Sequence, residues 1–180
     1  AWLRISPSGR PWIEARIAHL DRDGEVGGVK SHQSLRRYVV LVGASSELTL
    51  VETYVGLNDS TAYLTNAVSE IALAPNAGLT RHKVVQEGAK GFHLETAHAN
   101  LDRDSRLKTF TMTLSGRLVR NELRVNIKGP GADASLNGLY LNDGERVIDN
   151  ALNVEHFADH CRSRMSYKGI LGDTSTAVFT

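Results

Sequence analysis

A chain of 180 residues, 41% hydrophobic and 23% charged, is long enough to bury a core without disulfide or metal staples. Its 21 Lys and Arg against 20 Asp and Glu leave a formal charge of +1, which excludes a basic field for nucleic acid or for an anionic membrane surface. One cysteine, Cys161, excludes an internal disulfide framework and an all-cysteine metal cage, and no apolar run approaches the ~18 residues of a membrane-spanning helix. The first residues, Ala1-Trp2-Leu3-Arg4, lack a methionine and a signal-peptide core, and Ala177-Val178-Phe179-Thr180 ends in strand-like sequence. A fragment or processed chain from a reducing compartment is the expectation.

Taken in chain order, Ile13, Ile17 and Leu20 fit one helical face, so residues 12–20 are predicted as a short helix. Asp21-Arg22-Asp23-Gly24 reads as a turn, and 21–37 as a polar hairpin or loop. Residues 1–37 thus form an N-terminal segment without a clear assignment, and 38–180 a β-rich core. Tyr38 to Val42 reads as a strand buried on both faces, and Leu48 to Val55 as another strand. Beyond these, apolar residues recur every second position. Phe110, Met112 and Leu114 alternate with threonines, and Leu123, Val125 and Ile127 alternate with Arg124 and Asn126, which puts each apolar set on one face of a strand. Turn chemistry separates the runs at Asn58-Asp59-Ser60, Pro75-Asn76-Ala77-Gly78, Gly129-Pro130-Gly131 and Asn142-Asp143-Gly144.

Leu57, Leu79, Leu101 and Leu123 are evenly spaced, as are Phe92, Leu114 and Leu136. The interval of roughly 22 residues, free of helix, predicts the coil of a parallel β-solenoid whose inward apolar residues stack from one coil to the next, with roughly six coils over 38–180. An antiparallel β-sandwich is the competing reading.

The densest group of metal-seeking side chains is His156, His160 and Cys161, a candidate thiol–imidazole site in which Arg162 and Arg164 would favour the thiolate. The alternative is a small buried thiol beside surface histidines. His93, between Phe92 and Leu94, is expected to point away from the apolar face. Asp102 and Asp104 form the one carboxylate pair suited to glycoside chemistry, and a solvated charged turn is the plainer reading. Arg117 and Arg120 have the spacing of an anion clamp or of outward-facing charges. No phosphate loop, nucleophile elbow or zinc-protease motif occurs.

Several stretches are more specific than this. Leu48 to Gly56, Tyr63 to Gly88, Phe92-His93-Leu94 and Arg103-Asp104-Ser105 follow one another in an order that resembles the SufB/SufD family of iron–sulfur cluster assembly proteins. Leu114 to Leu141, Asp149-Asn150, His160 to Arg164 and Tyr167 to Leu171 complete the resemblance, which covers residues 45–180 and is closer to SufD than to SufB. It implies a right-handed parallel β-helix core in a non-catalytic subunit, cytoplasmic or, in a plant or alga, stromal. It also implies a complex with a SufB-like subunit, paired through the β-helices, and a SufC-like ATPase, bound through a C-terminal helical region that lies outside residues 1–180. The complex would handle the iron–sulfur cluster, and this chain alone would bind no cofactor. His160 and Cys161 match a family motif, but no residue role is carried over from it. Open sheet edges predict a homodimer or edge-mediated association. Two other functions remain open on the residues themselves: a carbohydrate-active β-helix enzyme using Asp102 and Asp104, and a purely structural solenoid.

Overall fold

A computed structural model describes residues 33–56 and 59–180 with their side chains, and the backbone of the strands that precede residue 33. Among the described residues fourteen strands follow in order: β1 (Trp2–Ile5), β2 (Trp12–Ala18), β3 (Asp23–Val26), β4 (Val29–Val42), β5 (Glu47–Val55), β6 (Tyr63–Leu73) and β7 (Gly78–Gln86). They continue with β8 (Gly91–Leu101), β9 (Arg106–Ser115), β10 (Leu118–Ile127), β11 (Asp133–Asn142), β12 (Val147–His156), β13 (Arg162–Leu171) and β14 (Thr176–Phe179). The strands form two sheets. One runs β1-β4-β6-β8-β10-β12-β14, with β3 paired antiparallel to β4, and the other runs β13-β11-β9-β7-β5-β2. All other pairings among the described residues are parallel, and the chain alternates between the sheets, so the molecule is a parallel β-solenoid of about five turns.

The solenoid expectation holds, but its period is longer than 22 residues. Val39 lies opposite Glu70, Glu70 opposite His98, His98 opposite Arg124 and Arg124 opposite Asn153, steps of 31, 28, 26 and 29 residues. Each coil needs two strands of about ten residues and two corners, which 22 residues cannot supply. The leucine ladder joins positions that never meet. Leu79 faces Leu48 and Leu107 in one sheet, whereas Leu101 faces Leu73 and Ile127 in the other. Leu57 lies outside the described residues, as does Asn58 of the first predicted turn.

The helix predicted over 12–20 is strand β2 through Ala18, paired in register with β5. Residues four apart share a face in a strand as they do in a helix, so the spacing of Ile13 and Ile17 fits both, and parallel pairing decides the outcome. Asp21 and Arg22 lie outside the described residues, while Asp23 and Gly24 begin the β3–β4 hairpin, which matches the polar hairpin expected there. Tyr38–Val42 is a strand, but only one face is buried: Val40 and Val42 point inward and Leu41 is 42% exposed.

Inside the solenoid the core has two unlike parts. Half of the lumen is aliphatic, with Val42, Leu48, Ile71, Leu79, Leu101, Leu107, Ile127 and Leu136 stacked and almost fully buried. This half ends at a column of corners. Ser45, Asn76, Asp104, Gly131 and His160 all have left-handed backbone, with φ between 56° and 75°. They hydrogen-bond coil to coil: Ser45 N to Pro75 O at 3.0 Å, Asn76 N to Arg103 O at 2.8 Å and Asp104 N to Pro130 O at 2.9 Å. The same corner packs Gly129 against the backbone of Arg103.

The other half of the lumen is polar, and there two strands carry their apolar faces outside. In β8, His93 and Glu95 point inward while Phe92 and Leu94 point out. In β9, Leu107, Thr109 and Thr113 point inward, and Phe110, Met112 and Leu114 lie on the outer face. Strand alternation is symmetric, so it cannot say which set faces the core.

Candidate functional site

Strand alternation in β7 sends Thr80, His82 and Val84 outward, and so places Arg81 and Lys83 inside the solenoid. The neighbouring coils supply their partners. Glu52 of β5 and Glu95 of β8 both ion-pair with Arg81, and Glu95 also pairs with Lys83. Every one of these side chains is at most 5% exposed. Lys83 Nζ further donates to Asn121 Oδ1 at 2.6 Å, and Asn121 Nδ2 donates to Asn150 Oδ1 at 3.0 Å, one coil on. Ser69 Oγ donates to Glu95 at 3.1 Å. Two cations and two carboxylates therefore balance inside the lumen, linked to an asparagine ladder along the axis.

Tyr54 separates this network from a second one. Lys83 Nζ lies 5.5 Å from the Tyr54 ring centre, and the Tyr54 ring stands edge-on to His93 with centroids 4.5 Å apart. His93 Nδ1 is 3.0 Å from Glu87 Oε1, and the Tyr63 hydroxyl donates to Glu87 Oε2 at 2.8 Å. The Glu87 carboxylate can only accept, so Nδ1 carries the proton and Nε2 is the bare nitrogen. That nitrogen is buried without a protein partner, as is the Tyr54 hydroxyl. The result is a carboxylate-oriented imidazole whose free nitrogen is enclosed by the solenoid. The expectation that His93 points opposite to Phe92 and Leu94 is correct, but the direction away from those residues is inward.

Burial and charge set the protonation states. Burial opposes the charge of Glu95, yet Arg81 and Lys83 outweigh it and hold the carboxyl well below its ordinary range. For Arg81, burial is likewise outweighed by Glu52 and Glu95, which hold the guanidinium protonated. Burial, with Lys83 as a second cause, depresses His93 and keeps the ring neutral. Burial also works against the Glu87 charge, but the bonds from His93 and Tyr63 prevail and lower its pKa. Desolvation pushes the phenol of Tyr38, half-buried beside the network, up to about 12.

These directions predict a two-stage acid response. In the unfolded chain His93 takes up a proton near its ordinary value of about 6.5, and Glu87 and Glu95 near about 4.3. All three bind protons less readily when folded, so the stability that these three groups contribute is fully present above about pH 6.5 and is lost as pH falls through these windows. Urea unfolding measured from pH 8 to 3 should show a first decline below about pH 6.5 that His93→Gln removes, and a steeper one below about pH 4.3 that it leaves in place. A flat profile down to pH 4 would contradict the assignment.

The thiol–imidazole candidates sit elsewhere, at the corner between β12 and β13 that ends the left-handed column. His156 ends β12, and its Nε2 lies 3.1 Å from Ser163 Oγ. His160 occupies the left-handed corner position with φ 59°. Cys161 is half-buried against the aliphatic core, and its Sγ lies 3.3 Å from both Gly129 O and Asp159 O, either of which can accept its one proton. Among the described residues no group of three or more His, Cys, Asp or Glu side chains is arranged to hold a metal ion.

The remaining candidates separate. Asp102 and Asp104 lie in an exposed corner, where Asp102 Oδ1 accepts from Arg103 N at 2.7 Å and Arg103 pairs with Asp104 at 2.8 Å, as a solvated charged turn does. Arg120 pairs with Asp149 and Arg117 with Glu145, so the anion clamp is already occupied by acidic side chains of the next coil. No motif singled out Glu52, Arg81, Lys83 or Glu95. The one trace of them is charge at alternate positions in a β-rich run, at Arg81 and Lys83.

A two-sheet parallel β-solenoid with a half-ionic lumen defines the class of protein. The SUF system FeS cluster assembly, SufBD core domain family matches residues 25–180, and the chain belongs to that family. An iron-sulfur cluster assembly SufBD family protein of Mycobacterium leprae is 42% identical over 79 residues, covering 44% of this chain and 20% of the relative. Protein ABCI7, chloroplastic, of Arabidopsis thaliana is 28% identical over 162 residues, covering 87% of this chain and 34% of the relative. A Synechocystis protein of the same SufBD family is 23% identical over 151 residues, covering 80% and 33%. The matches thus span between a fifth and about a third of the curated relatives' length. No helix among the described residues is long and apolar enough to cross a membrane.

Proposed function

We propose that this chain is the β-helix core of a SufD-like, non-catalytic subunit of an iron–sulfur cluster assembly complex, cytoplasmic or stromal according to its source. The family match across residues 25–180 carries this reading. The subunit pairs with a SufB-like scaffold and, through a region outside this chain, with a SufC-like ATPase. The cluster is cargo of the complex. A [2Fe–2S] or [4Fe–4S] centre takes four protein ligands as a rule, so Cys161, His156 or His160 would share any cluster or sulfur with groups from another chain. The parallel strands of this chain bury their backbone bonding groups within the solenoid, which suits a rigid platform that holds partners in place.

Affinity purification of the tagged full-length protein from its native cells should recover a SufB-like subunit and a SufC-like ATPase in constant ratio. Recovery of the full-length protein without either one would overturn the reading.

A further inference from the structure

The outer face of the second sheet differs from that of the first in its charge. Its outward positions with described side chains run along β5, β7, β9, β11 and β13; beyond β5 the sheet ends in β2, where Glu14 is the register neighbour of Val51. On β5, β7, β9, β11 and β13 carboxylates occur only in the first row, at the corner, where Glu47 faces Arg106 and Asp133 lies in register with Arg106 and Arg162. From Thr49, Thr80, Lys108, Ser135 and Arg164 onward, no outward position of these strands is Asp or Glu. The outer face of the first sheet, in contrast, carries Glu70, Glu122, Asp149 and Glu155.

The acid-free region is also apolar. Val84, Met112 and Leu139 are direct register neighbours, and Phe110, Leu114 and Leu141 extend the patch along β9 and β11. Strand β9 is the telling element, because it gives its threonines to the lumen and its Phe, Met and Leu to the outside. Isolated exposed apolar residues are ordinary, but a contiguous patch on a strand that could have buried it marks a contact surface. Lys108, Arg164 and Lys168 border the patch, and Lys168 is the register neighbour of Leu139. Enrichment in Phe, Met and Arg with depletion of Asp and Glu is the composition of an interface core.

We propose that this face docks a different protein chain through an apolar strip flanked by carboxylates. Charge selects the occupant. A second copy presenting the same patch would bring the Lys and Arg that border it together, with its own acids Glu47 and Asp133 held in the corner row beside Arg106 and Arg162, whereas an acid-flanked apolar strip satisfies both the patch and its border. The chemistry of the face asks this of the partner whether or not that partner is a SUF component.

The test uses the full-length protein with a photo-crosslinking phenylalanine analogue at Leu139, and at Asn153 on the outer face of the other sheet as the control. Circular dichroism melts establish that both variants fold. The expected result is a crosslink at Leu139 to one segment of another chain, mapped by mass spectrometry to an apolar strip with flanking Asp or Glu. Lys168→Glu should lower that yield about fivefold or more, and reversing the mapped acid to Lys should restore it. The proposal is overturned if Leu139 crosslinks no better than Asn153, if it crosslinks within the same chain or to a second copy, if the mapped segment lacks acids, or if Lys168→Glu leaves the yield unchanged.

Discussion

Replacing Glu95 by alanine is expected to destabilise the fold by about 3–5 kcal/mol, the cost of leaving a buried charge without its partner. Glu95 is the hub that holds both Arg81 and Lys83, each almost fully enclosed. Without it the lumen keeps two cations against Glu52, and Lys83 is left with its hydrogen bond to the neutral Asn121 at 2.6 Å. The double variant Lys83→Met with Glu95→Leu should be far milder than Glu95→Ala, because it leaves Arg81 and Glu52 as a balanced pair and fills the space with apolar atoms. Urea unfolding of the three proteins at pH 7 decides the matter. If Glu95→Ala costs less than about 1 kcal/mol, or if the double variant is the worse of the two, charge balance is not what the cluster contributes.

The second large effect is expected at Gly129. A Cβ there would stand 2.5 Å from the carbonyl carbon of Asp102 and 2.6 Å from Arg103 Cα, closer than real Cβ atoms approach. The obstructing atoms are backbone, fixed by the coil-to-coil hydrogen bonds of the corner, so no side chain can turn aside. Gly129→Ala should cost about 3 kcal/mol or more. Gly144 is the internal control. It has a φ of 61°, but a methyl group there would meet nothing within 4 Å, so Gly144→Ala should cost only the ~1 kcal/mol of left-handed strain. Thermal melts of the two variants should differ accordingly, and equal melting temperatures would show that the corner can yield.

The sequence carried more of the family than of the geometry. Leu114 to Leu141 and the blocks around it point to the SufB/SufD family, and the family match confirms that membership. Two-residue alternation marks β9 and β10 as strands, and they are strands. What alternation cannot convey is which face turns inward. Phe110, Met112 and Leu114 look like core and lie outside, since the lumen at their level holds Arg81 and Lys83. The period was illegible for a related reason. Coils of unequal length leave no fixed spacing, and equally spaced leucines such as Leu79 and Leu101 fall in different sheets. The charged cluster is assembled by register alone: Glu52 is 29 residues from Arg81 and Glu95 is 14 residues beyond it, distances at which no local motif operates.

The unequal coils have one more consequence. Apart from one shift at the end of β7, where Val85 pairs with Thr113 and Gln86 with Ser115, strand register is kept from coil to coil while the corners take up the surplus or the deficit, so the fold counts rungs more than the residues between them. One residue added inside a strand would exchange lumen and surface along its remaining length. The same residue added at a corner leaves the alternation of the strands intact and costs only that corner's bonds to its neighbours. The turn at Gly144 has open space within 4 Å of where a side chain would begin, so a tag spliced there keeps the alternation of the strands and gives up only the bonds that Gly144 makes to Asp173 and Thr174 of the next turn.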